Sequence, residues 1–581
     1  MTRAFRVILG AAALAAALAG PWAVGAQAPE PAKGIKFATI SPAELKDWLT
    51  YISSDELQGR QVFTEGYGVA AEYVADHLRQ FGVKPIGEHG SYFQIVKLRS
   101  YKVTRHSTVT VEARGQSRTF KDGEHVTFST SAGGRQTLAF TGAEFVGAGQ
   151  PSDYAGHNVT GKLVLSMSGA AGGRGGRGRG GYAFQTAHAG ALISYVPAPR
   201  QAVPTAADEA VARAQEQLDQ AQAAYASAVA QRGGRAGGFG VGRGRPGAAP
   251  PDIAATPSRV DGIVPPQFTA DEAFFDFVLS AAATTWPDLK AKTDRNEPLS
   301  PFSVPDVKIT ISVDNTYEPL TTLLTRNVVG MVEGSDPRLK DTYVLFGAHL
   351  DHVGYATTDQ DAKGRVNTPI AEDKIWNGAD DDGTGTTAEM AIAKAFATGP
   401  KPKRSVVFVW HAGEEADLYG SRYNADFPIV PIEKIQCQLN IDMIGRNRDN
   451  DPAQANNVFV IGADRISTDL HNVIVDTNAT LAVPLKLDYE YNDPNDPNSF
   501  YTRSDHYSYA SKGIPIAFFF TGTHPDYHAN SDSVEKILFD KQAHVAQLVY
   551  QTGFAVANSE RTLERDNKGA RTGRGWAGRI K

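Results

Sequence analysis

Five short segments in the C-terminal half of the chain place imidazole and carboxylate side chains beside apolar runs. These segments are Gly347–Asp351, Asn377–Gly385, His411–Glu415, Asn440–Gly445 and Tyr527–Asp532. Imidazole nitrogens and carboxylate oxygens suit zinc, and two zinc ions that share a carboxylate lie roughly 3.5–4 Å apart. None of the segments is decisive alone, but suitable donors in all five predict a metal centre.

Two of the segments divide the chemistry between neighbouring side chains. His349 is predicted to bind metal, and Asp351 to accept the other ring N–H and so orient the imidazole. In the Glu414-Glu415 pair, one carboxylate can bind metal while the other takes a proton from water. Taken alone, a His near an Asp is a common surface arrangement, and a Glu-Glu pair is commonly a solvated helix start.

Three consecutive acids, Asp380, Asp381 and Asp382, precede a helical pattern. Adjacent carboxylates raise one another's pKa unless a cation neutralises them. The competing explanation is a helix N-terminus, whose dipole favours acids, although three acids exceed what capping requires. Asp442 interrupts an apolar stretch, where an unpaired carboxylate would be costly, and His528 completes the set of donors.

The elements that position these side chains follow from alternating patterns after Val307. Helical stretches such as Thr386–Ala397 alternate with apolar runs at Tyr343–Phe346, Val406–Trp410, Ile435–Ile441 and Ile514–Phe520. This alternation predicts an α/β domain with a mixed, mostly parallel sheet flanked by helices. Ligands of such sheets bind beyond the carboxyl ends of the strands, which is where the candidate residues lie.

In this order the segments resemble the co-catalytic zinc aminopeptidases of peptidase family twenty-eight. That family also contains glutamate carboxypeptidase and the transferrin receptor ectodomain. Ser504-Asp505-His506 and Gly513-Ile514-Pro515 belong to the same resemblance, which covers nearly all of the C-terminal domain. It implies the zinc-exopeptidase fold.

The resemblance also implies a role for each candidate residue. Two Zn²⁺ ions are expected, with the ligands His349, Glu415, Asp442 and His528 and with Asp381 as the bridging carboxylate. Asp381 is chosen over Asp380 because the family pattern allows Asn at the first of the three acidic positions. Glu414 is expected as the general base for a metal-activated water, Tyr527 as the group that stabilises the oxyanion, and Arg503 as a further substrate contact.

The function that this resemblance implies is an exopeptidase that removes N-terminal residues from peptides or proteins. A carboxypeptidase or acidic-dipeptide hydrolase on the same metal centre is an alternative. A one-zinc glutaminyl cyclase is a second, which the presence of both His349 and Asp381 argues against. A non-catalytic binding ectodomain is a third, and the intact ligands and base argue against it. Side-chain preference and oligomeric state are not predicted.

The N-terminus has the layout of a secretory signal peptide. Arg3 and Arg6 precede an apolar run from Val7 to Ala19, which small residues follow. We expect a signal peptide at 1–28, cut after Ala26 or Ala28, and export to the periplasm or the medium. The apolar run is shorter than the roughly 20 residues of a membrane span, and no stable span is expected after cleavage.

The rest of the chain is predicted to form more than one domain, because 581 residues exceed one ordinary hydrophobic core. The predicted parts are an N-terminal part of the peptidase domain at 36–110, an inserted β-rich domain at 111–299, the zinc peptidase domain at 300–560 and a basic flexible tail at 561–581. The insert resembles a protease-associated domain through Tyr154–Met167 and Gln185–Tyr195.

The insert also carries two Gly/Arg-rich segments, Ala171–Gly181 and Arg232–Gly247, with a predicted helix at Ala206–Gln231 between them. The two segments cannot bury enough apolar surface to fold alone and are predicted to be solvated loops.

Bulk composition adds two exclusions. A formal net charge of -6 argues against a nucleic-acid partner. Cys437 is the single cysteine, so no intramolecular disulfide can form, and it is predicted to be a buried hydrophobic residue.

Overall fold

The computed structural model describes residues 35–130, 133–154, 156–167, 183–184, 187–197, 253–356, 373–574 and 578–580. The predicted signal peptide, both Gly/Arg-rich segments and the predicted helix between them lie outside these residues. Within the described ranges, no helix combines the length and the apolar character that a membrane crossing requires.

The described strands and helices alternate along the chain. The strands are β1 (Lys84–Pro85), β2 (Phe93–Arg105), β3 (Thr108–Ala113), β4 (Gln116–Lys121), β5 (Val126–Phe128), β6 (Gln136–Phe145), β7 (Leu163–Met167), β8 (Ala191–Tyr195), β9 (Ile253–Thr256), β10 (Gln267–Ala270), β11 (Phe302–Val313), β12 (Asn315–Val332), β13 (Tyr343–His349), β14 (Gly354–Tyr355), β15 (Ile375–Trp376), β16 (Ser405–His411), β17 (Ile435–Ile441), β18 (Asn457–Ile461), β19 (Lys486–Asp488) and β20 (Ile516–Phe520). The helices are α1 (Pro42–Ile52), α2 (Glu65–Phe81), α3 (Glu272–Leu279), α4 (Trp286–Asp294), α5 (Gly385–Thr398), α6 (Tyr419–Asp426), α7 (Ala463–Ile466), α8 (Thr468–Thr480), α9 (His506–Ala510) and α10 (Phe539–Asn558).

A ten-stranded sheet, here called the large sheet, positions the candidate site. Its order is β19-β18-β20-β17-β13-β16-β12-β2-β9, with β1 paired to β12. The central strands β16, β13, β17 and β20 run parallel, and β12, β2 and β9 add antiparallel pairs at one side. The predicted mixed sheet with helices around it is confirmed.

Alternation along the central strands builds a core on each face of the large sheet. Val344 and Phe346 of β13 pack into the core that contains α1, α2, α5 and α10, whereas Leu345 packs into the opposite core. The four central strands are buried at nearly every position because both faces of the sheet are covered, as is usual for parallel sheets. Three of them are mostly apolar, whereas β17 also buries Gln436, Gln438 and Asn440. Cys437 of β17 is buried, as predicted.

A second sheet of eight strands, in the order β4-β3-β11-β6-β7-β8-β10-β5, forms the predicted inserted β-rich domain. Its strands run from Thr108 to Val313, so the predicted limits of 111–299 are too narrow. The reason is that β2 and β12 form one long antiparallel ladder from Phe93↔Val328 to Arg105↔Asn315, and the chain enters and leaves the second sheet at the far end of that ladder. The strand β11, predicted to belong to the peptidase domain, therefore lies in the second sheet.

The predicted flexible tail is also corrected by the structure. Arg561 accepts a hydrogen bond from Arg404, and Leu563 is buried. Further along, Thr572 is buried and bonds to Asp464. Basic residues in this segment suggested solvation, but its backbone and side chains such as Leu563 and Thr572 pack on the domain built around the large sheet.

Candidate metal centre

The carboxyl ends of the central strands bring the candidate residues to one edge of the large sheet. His349 is the last residue of β13, opposite His411 at the end of β16. Glu414 and Glu415 follow β16 after a short turn, and Asp442 directly follows β17. The acidic turn at 379–384 leads into α5, and His528 lies in the loop after β20. The parallel strands converge on the site, as predicted.

Asp381 lies at the centre of the site and faces a different group with each oxygen. Its Oδ1 is 3.3 Å from His349 Nε2, which lies 3.7 Å from Asp442 Oδ2. Its Oδ2 is 3.1 Å from His528 Nε2, and that nitrogen lies 3.1 Å from Glu415 Oε2. The predicted bridging carboxylate thus stands between two sets of donors.

The histidines and carboxylates of the site shift one another's pKa values. Burial would raise the pKa of Asp381, but His349 and His528 hold that pKa well below its usual range. Burial would lower the pKa of His528, yet the carboxylates of Glu415 and Asp381 raise it to about 11. Burial would likewise raise the pKa of Glu415, and His528 and His352 lower it to about 2. Such a cluster favours a divalent cation, which replaces protons when it binds.

The other two acids of the turn point away from the donors. Asp382 accepts hydrogen bonds from the amides of Gly385 and Met443, and its second oxygen accepts one from the His349 amide. Asp380 accepts from the Gly445 amide with one oxygen and lies 3.1 Å from His524 Nε2 with the other. Among the three acids, only Asp381 is left to face the site.

Asp351 holds the site in a different way from the one predicted. The Nδ1 atom of His349 lies 3.0 Å from the backbone oxygen of Asp351 and 3.9 Å from its carboxylate. The carboxylate instead accepts hydrogen bonds from the amides of Glu414 and Glu415. The ring is oriented by a carbonyl, which is equally effective in fixing the tautomer, and the side chain fixes the glutamate turn.

A cleft of about 370 Å³ opens over part of this cluster. Glu414, Tyr527 and the exposed Arg503 line it, together with His349, Asp381, Asp442, His528 and the apolar side chains Met443, Phe500, Phe518 and Phe520. Arg503 donates a hydrogen bond of 3.2 Å to the Tyr527 hydroxyl oxygen and lies over the Phe500 ring. The residues predicted for base, oxyanion and substrate contact therefore share one cleft with the predicted ligands.

Two residues of the site escaped the sequence analysis. His352 is 1% exposed, and its Nδ1 lies 3.0 Å from Glu415 Oε1. The signal was a second histidine three residues after His349. Arg60, also buried, donates to the backbone oxygens of Leu350 and Gly378 and so ties the segments on either side of the site together. Because Arg60 is 290 positions away from Leu350 in sequence, no local sequence pattern indicated this contact.

The donor set fits a pair of metal ions. Asp381 Oδ2 and Glu415 Oε1 are buried and accept no hydrogen bond of good geometry among the described residues, although His528 Nε2 lies 3.1 Å from the first and His352 Nδ1 3.0 Å from the second. Two groups of side chains have donor atoms within 4.8 Å of one another, namely His349, Asp381 and Asp442, and His352, Asp381 and Glu415. Buried carboxylate oxygens without hydrogen-bond donors require a cation or a proton.

The C-terminal half of the chain is similar to known peptidases. Residues 327–553 match the family model described as peptidase family M28. The leucine aminopeptidase 2 of Trichophyton equinum is 27% identical over 223 residues, which cover 37% of this chain and 37% of that protein. The leucine aminopeptidase 1 of Fusarium vanettenii is 29% identical over 233 residues, which cover 38% and 54%. Each match spans less than two thirds of the fungal relative.

Among solved structures, the aminopeptidase from Aneurinibacillus sp. strain AM-1 aligns with 90% of this chain and 96% of its own. Its sequence identity is 16% and its TM-score 0.42.

Proposed function

Because residues 327–553 of this chain belong to peptidase family M28, we propose that the protein is a zinc-dependent exopeptidase, and specifically an aminopeptidase. The observation that carries the proposal is the position of Asp381, whose two oxygens face two separate sets of donors. A carboxylate in this position can neutralise two ions at once. The names of the fungal relatives, both leucine aminopeptidases, support the amino-terminal direction.

His349, Asp442 and Asp381 would hold one ion, and Glu415, His528 and Asp381 the other. When bound, zinc ions act as Lewis acids and lower the pKa of water toward 7. The proposal therefore assigns two Zn²⁺ per chain.

Glu414 is the proposed proton carrier. It lines the cleft, and burial raises its pKa well above the usual range, which suits a group that must take up a proton and release it again. In the proposed reaction it accepts a proton from the attacking water and returns it to the leaving amine. Asp351 holds the Glu414 backbone in place for both transfers.

Tyr527 is the proposed donor to the oxyanion. The guanidinium of Arg503 already donates to the hydroxyl oxygen of Tyr527. The hydroxyl hydrogen is therefore free to point into the cleft, where it can stabilise the negative oxygen of the tetrahedral species.

The cleft wall supports an apolar residue at the substrate N-terminus. Phe500, Phe518 and Phe520 line the cleft beside the donors, and an aromatic wall favours an aliphatic or aromatic side chain by burial. Arg503 at the rim favours a carboxylate instead, which keeps the carboxypeptidase or acidic-dipeptide alternative as a second candidate.

A paired substrate panel tests the proposal. The purified protein, stripped of metal and then reloaded with zinc, should hydrolyse leucine p-nitroanilide and should not hydrolyse its N-acetyl counterpart. The stripped protein should be inactive on both. Release of a C-terminal residue from N-blocked dipeptides, with no release from free aminoacyl substrates, would replace the aminopeptidase assignment with the carboxypeptidase one. Zinc binding without hydrolysis of any substrate would favour a binding ectodomain.

Export is a separate proposal, which the N-terminal pattern supports. The mature protein should be recovered outside the cytoplasm with an N-terminus at Gln27 or Pro29, as read by N-terminal sequencing. An intact Met1 on the active protein would contradict this.

A further inference from the structure

We propose that His352 is a direct ligand of the zinc ion held by Glu415 and His528, so that the two metal positions differ in how many protein ligands they have. This inference rests on the two-zinc function proposed above. It adds a donor that the family resemblance did not supply.

The first support is the state of the His352 ring. The residue is 1% exposed, and neither ring nitrogen forms a hydrogen bond of good geometry in the described part of the chain, although Nδ1 lies 3.0 Å from Glu415 Oε1. A buried imidazole without well-formed hydrogen bonds loses the free energy of its hydrogen bonds to water. Coordination of a metal by one ring nitrogen would compensate for that loss.

The second support is the spacing of five donor atoms on four side chains. His352 Nδ1 is 3.0 Å from Glu415 Oε1 and 3.9 Å from Asp381 Oδ2. His528 Nε2 is 3.1 Å from both Asp381 Oδ2 and Glu415 Oε2. Ligands about 2.0–2.2 Å from a tetrahedral zinc ion lie roughly 3.3–3.6 Å from one another. The observed distances bracket this range, so small adjustments would complete the coordination.

The third support is that the backbone fixes the ring in this position. The His352 amide donates to the backbone oxygen of Arg60. On the other side the ring packs against Gly378, where an added Cβ would come within 2.5 Å of the ring atoms Cγ and Cδ2. Gly378 also has a φ of +57°, which glycine adopts without strain. The His352 ring can therefore occupy this position only because residue 378 is a glycine.

A chemical difference between the two positions follows. With His352 included, one ion has four protein ligands, the number typical of closed zinc sites, whereas the other has His349, Asp442 and Asp381. His349, Asp442 and His528 line the cleft, but His352 and Glu415 do not. With three protein ligands against four, the ion on the His349 side would be the one with an open coordination position, and the ion on the His352 side would serve mainly to neutralise charge and hold Asp381.

Zinc affinity measured by chelator competition, together with zinc content, tests the inference. We expect the wild type to bind two ions, one of them much more tightly. His352→Ala and His352→Gln should both weaken the tight ion more than 100-fold, beyond the roughly 10–100-fold seen when a hydrogen-bond partner of a ligand is lost. The matched control His471→Gln changes a buried histidine outside the site and should leave both affinities unchanged within about threefold.

X-ray absorption of the wild type with one equivalent of zinc gives an answer that does not depend on the variants folding. Two imidazole nitrogens in the zinc shell are expected, and a single one would overturn the inference. Recovery of the tight ion in His352→Gln but not in His352→Ala would also overturn it, because glutamine can bond to Glu415 without replacing the imidazole. Failure of the wild type to bind two zinc ions would instead overturn the proposed function.

Discussion

Three consecutive acids perform three different tasks in this molecule. Asp382 accepts amide hydrogens at the start of α5, Asp380 fixes the backbone at Gly445, and Asp381 faces both sets of donors. Helix capping and metal binding, which competed as explanations of the sequence, therefore both apply. The division could not be predicted from composition, because it depends on which oxygens the neighbouring strands satisfy.

The role of Glu414 gives the first prediction. Glu414→Gln keeps the size of the side chain and removes only its ability to carry a proton. We expect zinc content to remain near two ions per chain, while kcat falls at least about a hundredfold, equivalent to ~2.7 kcal/mol of transition-state stabilisation. Zinc analysis and steady-state kinetics check this. Glu433→Gln, an exposed control, should behave as wild type; loss of both metals from Glu414→Gln would mean that Glu414 is a ligand.

The acidic turn gives the second prediction. Asp381→Ala should lose at least one ion, because the remaining donors of the two sets would no longer share a carboxylate. Asp380→Ala should keep both ions but unfold at a lower temperature, because the Gly445 amide and the Thr384 hydroxyl lose their acceptor. Metal analysis and thermal unfolding compare the two variants. Full metal content and activity in Asp381→Ala, with loss of metal in Asp380→Ala, would show that the bridging residue is one position earlier.

Site residues that follow a strand could be predicted from the sequence. Site residues that only the tertiary fold brings to the site could not. His349 and Asp442 follow apolar runs, so the parallel-sheet rule alone placed them at one edge. His352 reaches the site only because the chain near Gly378 makes room for its ring. Arg60 meets Leu350 across 290 positions of sequence, and no local pattern reports such a contact.

Among the elements, the loop after β20 is the one that supplies both Tyr527 and His528. Three groups anchor it through Asp526, which accepts hydrogen bonds from Ser531, Lys536 and Arg446. A loop outside regular secondary structure needs such anchors to hold the proposed ligand and oxyanion donor in position.

The pKa of Asp526 gives the third prediction. Burial alone would raise this pKa, but the hydrogen bonds from Lys536, Ser531 and Arg446 outweigh it and lower the pKa to about 2, from an ordinary value of 3.8. A depressed pKa contributes stability that is present above pH 3.8 and is lost as the pH falls toward 2. Asp526→Asn should therefore be less stable than the wild type at neutral pH, and the gap should narrow through this window.

Urea unfolding of the metal-free proteins between pH 7 and pH 2.5 measures that gap without interference from zinc. The control is Asp449→Asn, whose carboxylate is mostly exposed, and it should show little difference at any pH. A gap for Asp526→Asn that stays constant down to pH 2.5 would contradict the assigned ion pairs.

As a whole molecule, the chain is a domain built around the large sheet and interrupted by a second sheet. The segments before β3 and after β11 meet through the long pairing of β2 with β12. The strand β8 lies between β7 and β10 inside the second sheet, although it falls between the two Gly/Arg-rich segments in sequence. The resemblance of this sheet to a protease-associated domain stays a prediction.

This arrangement gives the fourth prediction. Replacing residues 200–250 with a flexible linker leaves β8 and β9 in place. Hydrolysis of small aminoacyl p-nitroanilides should stay within about threefold, below ~1 kcal/mol. Longer peptides should show the larger change, because this segment, predicted from composition to build no core, would act on substrate access rather than on the metals. kcat/KM values for both substrate classes test this.

A deletion of Ala171–Gly247 is the matched comparison. It also removes β8 and should unfold the second sheet. If the linker variant of 200–250 loses activity on small and long substrates in parallel, or unfolds as well, the segment is structural and does not screen substrates.

The contact between Ile40 and Gln547 joins the two ends of the chain, 507 positions apart. The helices α1 and α2 are synthesised before the second sheet, whereas their partners α5 and α10 are synthesised after it. The strands of the second sheet all lie between Thr108 and Val313 and can pair before the C-terminal half is complete, but the pairings of longest range form slowly and late. Because every predicted metal ligand, from His349 to His528, follows the second sheet in sequence, we expect that sheet to fold first and the metal centre to form after it.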